Sequence, residues 1–322
     1  MTSRELFGPS RLGGCLALLL VLVAPLARAE LAYHLQPRQI ARDTWLVEGS
    51  TENFAQSNGG NIVNVAFIAT SAGVLVIDSG PSKRYGEALR QAIAATTQQP
   101  VKLLMLTHHH PDHVLGNQAF ADVPIAALAG TRQLLEEQGN AMAENMYRLV
   151  GDWMRGTEVL LPNQTLEDGS LQFGDHHLRL LALRGHTGAD LAIYDESSGV
   201  LFAGDLVFYQ RALTTPNSPG LDVWQADIEQ LQALPWTLIV PGHGPLARDR
   251  QPLMQMRDYL GWLDQLLRDG AAQGADMNDL LRAPIPERFS SISLTRYELT
   301  RSISHLYPKY EQQGWRRVDQ QK

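Results

Sequence analysis

Short apolar runs recur along the chain, each closed by a polar or glycine-bearing turn. Residues 44–49, 62–69, 73–80, 101–106 and 124–128 read as strands, the second and fourth apolar enough to be buried on both faces. Helical spacing separates them: Tyr85, Leu89, Ile93 and Ala94 mark a helix over 82–97, and Met142, Met146, Leu149 and Val150 mark another over 131–153. A methionine stripe of that kind suits core packing or a lid over a pocket. A second series of strands follows at 158–161, 171–173, 177–183, 191–194, 200–203 and 236–240, with turns at Asp168-Gly169 and Gly174-Asp175. Helix then dominates, with Leu253, Met256, Leu260, Leu263 and Leu267 on one face of 252–268 and further helical stretches from Met277 and Thr295. The pattern is that of a β-rich α/β protein whose strands fall into two sets around the 131–153 helix.

The chemistry gathers where these runs stop. Immediately after 101–106 comes Thr107-His108-His109-His110-Pro111-Asp112-His113, which places four imidazoles and a carboxylate in consecutive turns. Other runs end on Asp78-Ser79-Gly80, on Arg184-Gly185-His186-Thr187-Gly188-Ala189-Asp190, on Gly204-Asp205 and on Pro241-Gly242-His243-Gly244-Pro245. Taken singly, each is an ordinary turn residue; together they put Asp78, His108 to His113, His186, Asp205 and His243 at strand ends, where one edge of the sheets can collect them. Neutral imidazoles with carboxylates suit zinc, and iron or manganese also. His34, His176, His177 and His305 lie in plain contexts. The polar, glycine-bearing stretch 50–61, with Phe54 in it, reads as a mobile flap over the site. Trp153, Met154, Phe208, Tyr209 and Arg211 are candidate pocket walls, and Arg211 has the fork geometry to hold a substrate carboxylate.

Composition narrows the setting. The 322 residues suffice for a large core. Arg4 and Arg11, the apolar stretch 12–24, Pro25 and Ala27-Arg28-Ala29 have the layout of an export signal cleaved after Ala29; the apolar stretch is too short to span a bilayer, and it follows Cys15, unlike a lipoprotein signal. The expected organisation is therefore a signal over 1–29, a catalytic domain over 30–250 and a C-terminal helical extension over 251–322 packed on it. Cys15, the only cysteine, leaves with the signal, so no thiol nucleophile or disulfide remains. The mature chain has 24 basic and 33 acidic residues, a net charge of −9, which excludes nucleic acid as a natural partner. The expected location is the periplasm or the secreted medium, without a stable membrane anchor.

These residues identify a resemblance to the metallo-β-lactamase superfamily of metallohydrolases. His108-x-His110-x-Asp112-His113 matches the His-x-His-x-Asp-His signature, and Asp78, His186, Asp205 and His243 match the remaining motifs in order, over about 44–245. The resemblance implies an αββα sandwich of two face-to-face mixed sheets flanked by helices. It implies two zinc ions: His108, His110 and His186 on the first, Asp112, His113 and His243 on the second, and Asp205 bridging, with His109 outside the ligand set and Asp78 supporting a ligand from behind. A bridging Asp without cysteine is more similar to hydroxyacylglutathione hydrolases than to the thiolate-bearing β-lactamases. The motifs Asn58-Gly59-Gly60-Asn61-Ile62-Val63-Asn64 and Asp78-Ser79-Gly80-Pro81-Ser82 are similar to exported metallohydrolases of quinoprotein dehydrogenase relay systems, which implies a periplasmic quinoprotein or cytochrome as partner.

The activity expected from this set is attack by a metal-bridging hydroxide on an ester, thioester or amide-like carbonyl of a small molecule, with Asp112 orienting the nucleophile. Phe54, Tyr209 and Arg211 are the expected substrate contacts. Two other functions compete. A mononuclear iron persulfide dioxygenase of the same fold needs only two histidines and an aspartate, for which His108, His186 and Asp205 would serve. A noncatalytic accessory protein of a quinoprotein or cytochrome needs no intact site.

Overall fold

Alternation along the central strands sorts their side chains into two cores, and the sorting builds the layers. In the computed structural model, which describes residues 31–319 together with Met1, Thr2 and Gly8, the chain divides into Met1–Leu31 and Ala32–Lys322. All the elements that follow belong to the second unit; the export signal expected over 1–29 lies almost wholly outside the described residues. Among the described residues no helix is long and apolar enough to cross a membrane.

The first sheet runs in the order β1 (Arg38–Ala41), β2 (Thr44–Val47), β3 (Val65–Thr70), β4 (Gly73–Ile77), β5 (Val101–Met105), β6 (Ile125–Leu128) and β7 (Gln164–Leu166). Its early strands pair antiparallel and those from β4 to β7 parallel. The second sheet runs β12 (Leu238–His243), β11 (Val200–Phe208), β10 (Asp190–Asp195), β9 (His176–Leu183) and β8 (Gly169–Phe173), antiparallel except for the β11–β12 pair. Both sheets are therefore mixed.

Leu75 and Ile77 of β4 meet Val200 and Phe202 of β11 in the core between the sheets. The alternate residues face outward: Val74 and Val76 pack under α1 (Lys83–Thr96) and α3 (Ala129–Val150), while Leu201 and Ala203 pack under α4 (Leu221–Gln232), α5 (Gln251–Gln273) and α7 (Thr295–Asp319). Helix, sheet, sheet, helix is the αββα sandwich. Leu253, Met256, Leu260, Leu263 and Leu267 of α5 share one core with Leu201 and Trp224, so the C-terminal helices form the outer layer of the second sheet.

Several boundaries differ from the sequence reading. Residues 158–161 carry no strand; the edge strand is β7, because the chain must first descend from α3. Residues 62–64 precede β3 as irregular chain, since Asn64 turns its amide to Pro241 and Gly244. The strand read as 200–203 continues to Phe208: Gly204 takes φ +51 and the ladder shifts register there, so Asp205 projects from the middle of a strand. β1 and α4 had no clear signal. The 50–61 stretch is fastened: Tyr33 Oη donates to Gly59 O at 2.6 Å, Trp153 Nε1 to Gln56 O at 2.8 Å and Ser293 Oγ to Thr51 O at 2.9 Å.

His176, read as unremarkable, is buried at the far end of β9 with its Nδ1 2.8 Å from Asp195 Oδ2. That hydrogen bond, helped by the Asp195 charge, outweighs the lowering effect of burial and holds the imidazole above its ordinary 6.5. A raised folded value means that the stabilisation is complete below about pH 6.5 and fades as pH rises through the raised value. His176→Gln should thus cost about 1.5–3 kcal/mol in urea unfolding at pH 5.5 and distinctly less at pH 9. A deficit that grew with pH would contradict this.

Candidate metal centre

Asp78, His108 to His113, His186, Asp205 and His243 meet along one edge of the two sheets, and cross-sheet bonds hold that edge shut. Leu191 N donates to Thr107 O at 2.7 Å, and Asn64 N to Gly242 O at 2.9 Å. His108, His110, His186 and Asp205 form one group of converging donor atoms and Asp112, His113 and His243 a second, each group within 4.8 Å. Asp205 touches both. Its Oδ2 lies 3.4 Å from His186 Nε2 and 3.3 Å from His243 Nε2, while its Oδ1 lies 3.2 Å from His113 Nε2. Asp112 Oδ2 stands 3.2 Å from His243 Nε2.

Four of the five rings are turned by a partner on the outer nitrogen. His113 Nδ1 lies 2.8 Å from Asp78 Oδ2, His243 Nδ1 donates to Ile62 O at 2.7 Å, and His108 Nδ1 is 3.1 Å from Thr107 Oγ1. His110 is reversed, with Nε2 3.1 Å from Asn217 Oδ1 and Nδ1 facing inward. His186 is held by packing instead, its ring against Trp224 at 5.2 Å and Phe208 at 5.7 Å. Its loop is pinned by Asp190, which accepts from His186 N and Thr187 N, and by Asp227, which accepts from Arg184 N and Gly185 N. Phe208 also stacks under His243.

Such a set fits cations. His108 Nε2, His113 Nε2 and Asp205 Oδ1 are buried with no hydrogen-bond partner among the described residues, although the neighbours named above crowd them. His110 Nδ1 and His186 Nε2 face one another at 2.9 Å. Nitrogen lone pairs and carboxylate oxygens pointed at a common dry space are stable when positive charge occupies it. Protonation states agree. Burial, then the His113 charge, holds His108 well below its ordinary range, so its lone pair is free. Burial would raise Asp205 and Asp112, but His243 and His113 outweigh it and keep both ionised, Asp112 at about 2. In His113 burial is overcome by Asp205, Asp78 and Asp112, which raise it well above the usual range. A metal there must displace that proton.

Two backbone features make room. Asp78 adopts φ +63, strained for a side-chain-bearing residue, and in return its carboxylate accepts from Thr107 N and Thr107 Oγ1, each at 2.8 Å, as well as meeting His113. Gly242 lies so close to Asp205 that a Cβ would stand 2.0 Å from Oδ1.

Of the expected substrate contacts, Phe54 and Arg211 line the cavity beside the donors, a space of about 220 Å³. Tyr209 does not: it lies in a separate groove with Gln251 and Met254, because its backbone N is tied to His243 O. Trp153 packs on Tyr33 and Met154 is buried under the first sheet, so neither is a cavity wall. His109 is buried beside the donors, and burial drives it down to about 3. Sequence reasoning missed Asn64, Asp190, Asn217, Trp224 and Asp227. The lone polar residue in the apolar run 62–69 and the aspartate closing the His186 turn were visible signals; Asn217 has none.

Asp78→Ala frees the His113 ring and should weaken metal binding about 10–100-fold, read by competition with a chromogenic chelator. Unchanged affinity would show that Asp78 serves only the fold. Gly242→Ala should displace Asp205 and release metal from both donor groups together; retention of full metal content would contradict the bridging placement.

The metallo-β-lactamase superfamily model matches residues 58–243. A hydroxyacylglutathione hydrolase of Rhizobium etli is 26% identical over 47% of this chain and 52% of its own. The human acyl-coenzyme A thioesterase MBLAC2 is 26% identical over 49% of this chain and 62% of its own. The chain thus spans about half to six tenths of these curated relatives. A metallo-β-lactamase from Pontibacter korlensis superposes with a TM-score of 0.58 at 25% identity, covering 70% of this chain and 99% of that one. With its signature residues assembled on the αββα frame, the chain belongs to the metallo-β-lactamase superfamily.

Proposed function

We propose that the protein is an exported, dinuclear zinc-dependent hydrolase of esters, thioesters or amide-like acyl compounds. The observation that carries this is Asp205, which reaches the donors of both groups at once. Two divalent cations, when bound, supply an activated water near neutral pH and a Lewis acid for the substrate carbonyl. The chain's own residues do the positioning. Asp112 stays ionised, lines the cavity and offers an acceptor that orients the attacking water. His110, steadied by Asn217, and His243, steadied by Ile62 O, fix the face against which the carbonyl is presented. Phe54 covers that face from the fastened 50–61 loop.

The small cavity suits a short acyl group, with any large leaving group projecting outward. The thioester chemistry in the names of the Rhizobium and human relatives supports this substrate range. The mixed nitrogen and oxygen donors favour zinc, with iron or manganese as substitutes. Export rests on the charged, apolar and small-residue layout of 1–29, and a link to a periplasmic quinoprotein or cytochrome rests on the 58–64 and 78–82 motifs. Against the iron dioxygenase reading stands the complete second group, Asp112, His113 and His243, which that chemistry leaves unused.

The test is hydrolysis of short-chain aryl esters and acyl thioesters by zinc-loaded protein. Chelation should abolish turnover and added zinc restore it, and Asp112→Ala should lower kcat/KM by about 10²–10⁴-fold. Turnover that survives the substitution would remove this centre from the reaction.

A further inference from the structure

The cavity has a wall that the superfamily match does not reach. The match ends at residue 243, whereas α7 begins at Thr295 and brings Tyr297 and Arg301 to the cavity, with Glu298 behind them. Glu298 is 1% exposed; it accepts from Arg301 Nη1 at 3.2 and 3.0 Å and lies 3.8 Å from Arg211 Nη2. Arg211, itself 4% exposed, has an Nε with no hydrogen-bond partner among the described residues, and its Nη1 reaches Ala212 O at 3.4 Å. Two guanidiniums against one carboxylate leave this wall with an unbalanced positive charge. Asn53, Asn145, Thr214 and Asn217 of the same lining are neutral, and its two other carboxylates, Asp112 and Asp205, belong to the donor groups and are committed there. Burying a guanidinium with an unmet donor is costly unless an anion completes it. Phe54, Met142 and Leu149 supply apolar surface in the same cavity, so a neutral acyl group would need no arginine there.

We propose that the natural substrate carries a carboxylate on the short acyl part that fills this cavity, held by Arg301 with Arg211 beside it, and that Glu298 positions both arginines. The inference rests on the hydrolase reading and specifies its substrate class: esters or thioesters of short dicarboxylic acids. Arginine is apt because its planar fork pairs with a carboxylate through two parallel hydrogen bonds. Arg301 is the specificity residue: its side chain is 37% exposed against 4% for Arg211, and its bonds to Glu298 use Nη1, which leaves the other guanidinium edge for the ligand.

The experiment uses zinc-loaded full-length mature protein with a matched pair of esters, 4-nitrophenyl hemiglutarate and 4-nitrophenyl butyrate. The charged ester should be favoured about 10–100-fold in kcat/KM, chiefly through KM. Arg301→Gln should erase that preference while sparing butyrate, and Arg301→Lys should keep part of it. A second readout is independent of turnover: calorimetric titration with glutarate and with its monoamide, each of which has one carboxylate for the metals. Glutarate should bind more tightly in the wild type and equally in Arg301→Gln. If neither ester is cleaved but the glutarate difference still disappears with Arg301, the hydrolase reading falls and the anion site stands. If both esters are cleaved alike and both ligands bind alike, the anion site is overturned and the hydrolase stands. Equal loss of both ester activities in Arg301→Gln and Arg301→Lys would assign the residue to structure and overturn the proposal as well.

Discussion

Five imidazoles and two carboxylates aim donor atoms at one dry edge between two sheets, and the fold is organised around keeping them there. Without a counter-charge the arrangement is expensive: His110 Nδ1 and His186 Nε2 face each other, and buried oxygen and nitrogen atoms of Asp205, His108 and His113 have no hydrogen-bond partner among the described residues. Bound cations would take up these donor atoms and turn the cost into binding energy. Positive charge at the edge is therefore the interaction on which the site depends.

The scaffold contributes rigidity in layers. The core between the sheets fixes their separation, and Thr107 and Asn64 tie the two sheets together where the donors emerge. Behind the donors, Asp78, Asn217, Asp190 and Asp227 set ring or loop orientation by hydrogen bonds, while Trp224 and Phe208 set it by packing. Strain at Asp78 and the bare Gly242 are tolerated because this frame over-determines them. The C-terminal helices then cover the second sheet and bring Arg301 to the cavity, so that what lies outside the common fold shapes what the common site meets.

Apart from Asp205, the donors were legible because they sit at the ends of apolar runs, where local sequence decides both position and direction. The two strand sets and the helices between and after them were legible in apolar runs and helical spacing, whereas the αββα layering was implied by the family resemblance. Other features depend on partners distant in sequence. Asp205 read as a strand-end residue, yet the ladder with β12 carries the strand on to Phe208 past the bend at Gly204. The 50–61 loop read as mobile, since nothing within it foretells Tyr33, Trp153 or Ser293 as anchors. Tyr209 and Arg211 are close in sequence but point to different cavities, a matter of backbone direction after β11 that composition cannot convey. Asn217 reaches His110 across more than a hundred residues, and Arg301 arrives from a helix whose own pattern speaks only of packing.

The account stands most directly on a count of metal ions. Native mass spectrometry with elemental analysis, on residues 30–322 purified without a histidine tag and equilibrated with low micromolar zinc, should give two zinc ions per chain. The same measurement on Asp205→Ala should lose both, because that carboxylate serves both donor groups. A chain that stays metal-free under these conditions, or a variant that keeps both ions, would contradict the central claim.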